Sequence, residues 1–246
     1  MNENTPLPPP PANTGGASRW LDLLYLSAGT LLLPYFAYRR WIKRKQSAPL
    51  AQRLGYLPPR SVGPRIWVHA VSVGEATAAE PFIRQLRKEF SGVDVVVSTT
   101  TVTGQAVAAK RYGADQVFHY PLDLSGTVRR ALDRVRPTVI VLMELEVWPN
   151  LTAEAVARGI PVLVVNGRIT ERSARRYGKF WFLAGPSFGR VRLWLAQSEE
   201  YAGRLRALGV EGSRIRVTGN MKYDAVDTAG ASPAERAQMR QSLGLP

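Results

Sequence analysis

From Arg65 to Thr218 the chain repeats one arrangement: a short apolar run, a turn of small or polar residues, then a stretch with helical spacing. The runs are Ile66–Val71, Val93–Thr99, Val117–Tyr120, Thr138–Met143, Pro161–Asn166, Leu193–Gln197 and Ile215–Thr218. Several are apolar without strict alternation, the pattern of strands covered on both faces. Between them Glu75–Phe90, Gly104–Tyr112, Thr127–Val135, Leu151–Arg158 and Glu199–Leu208 carry helical spacing. Strand and helix in alternation predict an α/β fold with a parallel sheet wrapped on both faces. Ligands of such sheets bind beyond the carboxyl ends of the strands, so functional residues are sought in the turns that follow the runs.

The first run is followed by Ser72-Val73-Gly74-Glu75, in the order strand, small-residue turn, helix start that points free backbone N–H groups at an anion. Gly74 leaves room for a ligand. Glu75 has two readings, a first-turn acid favoured by the helix dipole and a general base at a cleft edge. After the second run, Thr101, Thr103 and Gly104 suit sugar hydroxyls or phosphate, and equally suit helix capping. After the fourth, Glu144 and Glu146 stand two residues apart at the end of an apolar strand, which is costly unless they are paired or used. Asn166-Gly167-Arg168 follows the fifth run, and seven basic residues against one acid lie between Arg168 and Arg192. Such a run is either a solvated helix face or a phosphate grip. Gly219-Asn220-Met221-Lys222-Tyr223-Asp224 places a lysine after the last run.

Residues 1–18, rich in Pro and Gly and nearly free of apolar side chains, read as a disordered tail. Trp20–Tyr38 follows, 19 residues with Asp22 as their single charge and aromatic residues at both ends, near the length that crosses a bilayer as a helix. Eight basic residues and no acid occur from Arg39 to Arg65, so the positive-inside rule places the bulk of the chain on the cytoplasmic side. Pro34 and Asp22 leave a helix lying on the surface as the competing reading.

The formal net charge of +14 requires an anionic partner, whether nucleic acid, acidic lipid or a phosphorylated substrate. No helix-turn-helix signature or aromatic platform interleaved with basic residues supports nucleic acid. With no cysteine and two histidines well separated along the chain, no thiolate site or histidine-rich metal site is expected.

Taken together, His69-Ala70-Val71-Ser72-Val73-Gly74-Glu75, Thr101-Val102-Thr103-Gly104, Met143-Glu144-Leu145-Glu146-Val147-Trp148-Pro149-Asn150, Asn166-Gly167-Arg168 with Ser173, and Gly219-Asn220-Met221-Lys222-Tyr223-Asp224 resemble the 3-deoxy-D-manno-octulosonic acid (Kdo) transferases of lipopolysaccharide synthesis. Arg53-Leu54-Gly55 also matches the family habit. The resemblance implies a membrane-anchored, inverting glycosyltransferase of the GT-B type, with this chain as its Rossmann-like N-terminal, acceptor-binding domain. It implies transfer of Kdo from CMP-Kdo to a lipid A precursor (lipid IVA) at the cytoplasmic face of the inner membrane, with no metal or other cofactor and no nucleic acid. By the same resemblance Glu75 is the proton acceptor, and Glu144 and Lys222 stabilise the transition state. Ser72, Gly74, Thr101, Thr103, Gly104, Glu146, Asn166 and Arg168 are the substrate-binding residues.

Family members usually carry Thr where this chain has Leu145, so one hydroxyl beside the glutamates is missing. The expected organisation is a tail over 1–18, a membrane-anchor helix with basic flank over 19–45 and the acceptor-binding domain over 46–230. Residues 231–246 then start an interdomain connection, the donor domain being absent and transfer by this chain alone doubtful. The alternative is a non-catalytic membrane-bound module that binds anionic glycolipid.

Overall fold

The computed structural model describes residues 8–9, 21–27 and 48–221. Seven strands, β1 (Arg65–His69), β2 (Asp94–Thr99), β3 (Val117–His119), β4 (Val139–Met143), β5 (Val162–Gly167), β6 (Leu193–Ala196) and β7 (Ile215–Val217), form one sheet. Their spatial order is β3-β2-β1-β4-β5-β6-β7, and every neighbouring pair is parallel. Each apolar run of the sequence is a strand, with its ends displaced by a residue or two. Among the described residues the helices are α1 (Leu50–Arg53), α2 (Val73–Ala78), α3 (Glu80–Glu89), α4 (Val102–Tyr112), α5 (Ser125–Val135), α6 (Pro149–Ala157), α7 (Glu171–Lys179), α8 (Trp181–Gly189) and α9 (Glu199–Ala207), besides residues 21–27.

Successive side chains of a strand go to opposite faces, so each run feeds two cores. Ile66, Val68, Val95, Val97, Val141 and Met143 pack with Ile83 of α3 and Ala108 and Tyr112 of α4. Trp67, Val96, Ile140, Leu142 and Val164 pack on the other face with Val128 of α5, Leu151 of α6 and Leu205 of α9. Burial of this kind contributes about 25 cal/mol per Å² of apolar surface, which makes the sheet the rigid base of everything at its rim.

One helical expectation is corrected, and one segment is helical further than its reading went. The helix expected over Glu75–Phe90 is two, with the break at Ala79 and Pro81 in the first turn of α3, where its missing N–H costs no hydrogen bond. The basic run after Arg168 is ordered as α7 and α8, the second carrying Pro186 within it.

No helix among the described residues is long and apolar enough to cross a membrane. Most of Trp20–Tyr38, the basic flank over 39–47, the residues from Lys222 onward and all of the tail but Pro8 and Pro9 lie outside the described residues. Pro8 is buried, and its carbonyl accepts from Arg192 Nε at 3.1 Å, so at that residue the expected disordered tail rests on the domain.

The Arg53-Leu54-Gly55 motif has a local cause. Arg53 Nη1 donates to the Tyr120 carbonyl at 2.6 Å, tying α1 to the end of β3. Gly55 follows at φ +81°, where a Cβ would stand 2.3 Å from the Thr127 carbonyl oxygen of α5. Gly55→Ala therefore loses on both counts, and we expect it to lower the unfolding free energy by about 3 kcal/mol, read as a shift in urea midpoint at unchanged slope.

Candidate active site

The strand order reverses once. From β1 the chain runs outward to β2 and β3, then returns to lay β4 on the other side of β1. His69 stands in register with Leu142, so the turns leaving β1 and β4 emerge side by side at the carboxyl rim, at the topological switch point. Glu75 belongs to the first turn, Glu144 and Glu146 to the second.

Ser72 caps α2. Its Oγ accepts from the Glu75 N–H at 3.4 Å and donates to Glu75 Oε1 at 2.9 Å, while the Val71 N–H donates to Oε2 at 2.9 Å. This is a reciprocal capping arrangement, S-x-x-E, that fixes the carboxylate in place. Glu75 is 8% exposed. The helix-start reading from sequence is seen directly in these contacts, and the side chain lies in the turn that follows β1 at the carboxyl rim of the sheet. Gly74 beside it is exposed, and a Cβ there would meet only Ser72 Oγ, at 3.9 Å, so no protein atom fills that space.

The electrostatics set the three glutamates against one another. Burial raises the Glu75 pKa above the ordinary carboxylate value, the hydrogen bonds from Val71 and Ser72 oppose it, and the Glu144 charge adds to the rise. Burial, then repulsion from Glu75 and Glu144, pushes Glu146 up to about 7. Repulsion among neighbouring carboxylates and their partial burial both favour the protonated form, most strongly at Glu146.

Glu144 has φ +57°, and Asn166, at the matching level of β5, has φ +58°. Met143 is in register with Val165, and the Glu144 N–H donates to the Val165 carbonyl at 2.9 Å; β4 ends at this level, while β5 carries Asn166 through a shift of register and pairs on at Gly167 with Ala196 of β6. Each left-handed residue costs roughly 1–2 kcal/mol, strain that persists only where the surroundings enforce it. Asn166 is fully buried; its Oδ1 accepts from the Met221 N–H at 3.1 Å and its carbonyl from Gln197 Nε2 at 3.0 Å. It thus ties the end of β5 to the turn that leads to Lys222, which itself lies outside the described residues.

Thr101 takes the capping role, its Oγ1 accepting from Gly104 N at 3.0 Å, while the Thr103 hydroxyl is exposed. Gly104 lets α4 approach the first turn: a Cβ there would lie 2.7 Å from Thr101 Oγ1 and 3.4 Å from the Ser72 carbonyl carbon. Arg168 is exposed. His69 is buried, its Nδ1 2.8 Å from Ser98 Oγ, and desolvation pushes it down to about 3, so it is a neutral core residue. No three His, Asp or Glu among the described residues are grouped to hold a metal ion.

Two neighbouring hollows complete the site. One, of about 450 Å³, runs from Glu146 between residues 21–25 and α7–α8, lined by Leu24, Tyr25, Leu145, Trp148, Tyr177, Phe180 and Phe188 among others. The other, of about 540 Å³, is framed by Arg172, Arg175, Arg176 and Lys179 and shares Arg176 and Phe180 with the first.

Residues 48–225 match the family model described as 3-deoxy-D-manno-octulosonic-acid transferase (kdotransferase). The chain belongs to the Kdo transferase family. It is 37% identical over 179 residues to the 3-deoxy-D-manno-octulosonic acid transferase of Haemophilus influenzae, covering 71% of this chain and 42% of that protein. The enzyme of the same name from Chlamydia pneumoniae is 33% identical over 231 residues, 92% of this chain and 52% of that protein. This Kdo transferase chain thus spans about half the length of the curated relatives it matches. Among solved structures, a UDP-GlcNAc 2-epimerase from Neisseria meningitidis is similar at TM-score 0.51 and 14% identity, over 73% of this chain and 54% of that one. A putative UDP-N-acetylglucosamine 2-epimerase from Listeria monocytogenes aligns at TM-score 0.53 and 14% identity, over 68% of this chain and 47% of that one. At such identity these two speak for the fold alone.

Sequence reading missed the wall of residues 21–25 and the α7–α8 side of the hollow. The signal was there in Tyr177 within the basic run and in Phe180, Trp181 and Phe182 directly after it.

The titration of Glu146 gives a prediction with a definite sign. Its folded pKa, about 7, lies above the ordinary 4.5, so the folded state holds this proton more tightly and stability falls as pH rises through that interval. Glu146→Gln removes the fall. At pH 8 the variant should be the more stable, on the order of 1 kcal/mol once solvent screening of a half-buried carboxylate is counted, with the difference gone below pH 4.5. Thermal unfolding of both proteins across this range checks it.

Proposed function

We propose that this chain is the acceptor-binding part of an inverting GT-B transferase that moves Kdo from CMP-Kdo to the lipid A precursor, lipid IVA. The observation that carries the reading is the crevice between β1 and β4, where a buried Glu75 of raised proton affinity faces Glu144 and Glu146. In this reading Glu75 takes the proton of the attacking sugar hydroxyl, whose oxygen bonds to the anomeric carbon of Kdo. The bond from that carbon to the phosphate oxygen breaks, and CMP leaves with the electron pair. In the same reading Glu144 offsets positive charge developing on the transferred sugar, and Lys222 offsets negative charge on the leaving phosphate. The raised pKa of Glu75 suits a base working near neutral pH.

The two hollows suit the acceptor. A bisphosphorylated, acylated sugar needs cations beside an apolar channel, and Arg172, Arg175, Arg176 and Lys179 border one lined by Leu24, Tyr177 and Phe180. Exposed Phe180 and Phe182, with Leu23 and Leu26, suit the headgroup region of a bilayer. On this reading the chain sits at the inner membrane, held by Trp20–Tyr38, with its catalytic face toward the cytoplasm.

The test gives membranes carrying the chain CMP-Kdo and tetraacyl lipid A precursor, in parallel with Glu75→Gln. Transfer that falls at least about a thousandfold in the variant, with acceptor binding retained, supports the reading. Acceptor binding without transfer by either protein fits both an acceptor-binding part alone and the second reading, a glycolipid-binding module; transfer gained on adding the remaining half of a curated relative supports the first, and none supports the second. No binding of the acceptor refutes both.

A further inference from the structure

Asp22 is the single charge in the apolar segment Trp20–Tyr38. It is not turned out to water. Its Oδ1 accepts from the Ser125 N–H at 2.9 Å and from Asn150 Nδ2 at 3.1 Å, and its Oδ2 accepts from the Ser125 hydroxyl. These partners stand at the starts of α5 and α6, whose own capping positions, Leu124 and Trp148, supply no side-chain hydrogen bond. Helix starts leave N–H groups unpaired and favour negative charge. For α6 the missing cap comes from Asp123, which accepts from the Asn150 and Leu151 N–H groups at 2.9 Å each. For α5 it comes from Asp22, about a hundred residues away in sequence. Residues 21–27 are thus joined to the domain by a cap that the local sequence of α5 does not provide.

We propose that Asp22 is a positioning residue: through Ser125 and Asn150 it fixes residues 21–27 as one wall of the hollow that opens at Glu146, and so seats the acyl part of an anionic glycolipid acceptor. The inference rests on the acceptor reading above and adds that the apolar N-terminal segment is part of the site rather than a tether alone. The wall faces α7 and α8, with Leu24 and Tyr25 on one side and Tyr177 and Phe180 on the other. Continuity with the arginine-lined hollow gives the occupant its charge: an anion at one end, an apolar body at the other.

A tether and a wall respond oppositely to Asp22→Leu. The substitution removes the one charge from an apolar run, so a tether holds the membrane at least as well. A wall loses its hydrogen bonds to the starts of α5 and α6 and shifts. The experiment measures binding of tetraacyl lipid A precursor and of its deacylated counterpart to the full chain in vesicles. We expect Asp22→Leu to weaken the acylated ligand about tenfold, leave the deacylated one unchanged, and leave membrane attachment intact, with Asp22→Asn falling between. Because the chain has no cysteine, Leu24→Cys with Phe180→Cys gives a clean cross-link across the hollow with a short bismaleimide, and its yield should drop when Asp22→Leu is added. Wild-type binding that Asp22→Leu leaves unchanged, with undiminished cross-linking, overturns this inference alone. A wild type that binds neither ligand overturns the acceptor reading and this inference with it.

Discussion

A carboxylate next to a carboxylate at the end of a buried strand is an arrangement that folding opposes, and this fold is built around one. The single reversal of strand order places the turns after β1 and β4 in contact, and both carry glutamates. Dehydration and mutual repulsion act together, and hydrogen bonds from Val71 and Ser72 answer only the part that falls on Glu75. The imbalance raises proton affinity at the rim, most of all at Glu146. A sheet buried on both faces is what makes this tolerable, since the rim cannot relax without disturbing two cores at once.

The strained backbone follows from the same need. Glu144 just after β4 and Asn166 within β5 are both left-handed, a conformation that asparagine accepts more readily than glutamate, and each is held by hydrogen bonds to its neighbours. The two left-handed residues stand at matching levels of β4 and β5, where the Glu144 N–H bonds the Val165 carbonyl. The end of β5 is thereby a common support for Glu144 on one side and for the turn ending at Met221 on the other.

The sheet was legible because burial on both faces writes continuous apolar runs, and the glutamate turns were legible because acids are conspicuous after such runs. Helix boundaries were less so. The chain breaks between α2 and α3 at Ala79, and Pro81 fits the first turn of the latter, a position where proline is at home, so the helical pattern continues across the break. The segment 171–189 reads as solvated charge followed by Gly178, Gly185, Pro186 and Gly189, residues that oppose helix locally; tertiary packing of Tyr177, Trp181 and Phe188 on the core overrides them. Asp22 reads in sequence as a flaw in a spanning segment. Its meaning depends on Ser125 and Asn150, partners that no local pattern reveals.

The close approach of Gly104 to Ser72 carries a consequence of its own. Any side chain at 104 leans on the backbone that presents the hydroxyl donating to Glu75, so the acidity of that glutamate is linked to the size of a residue it never touches.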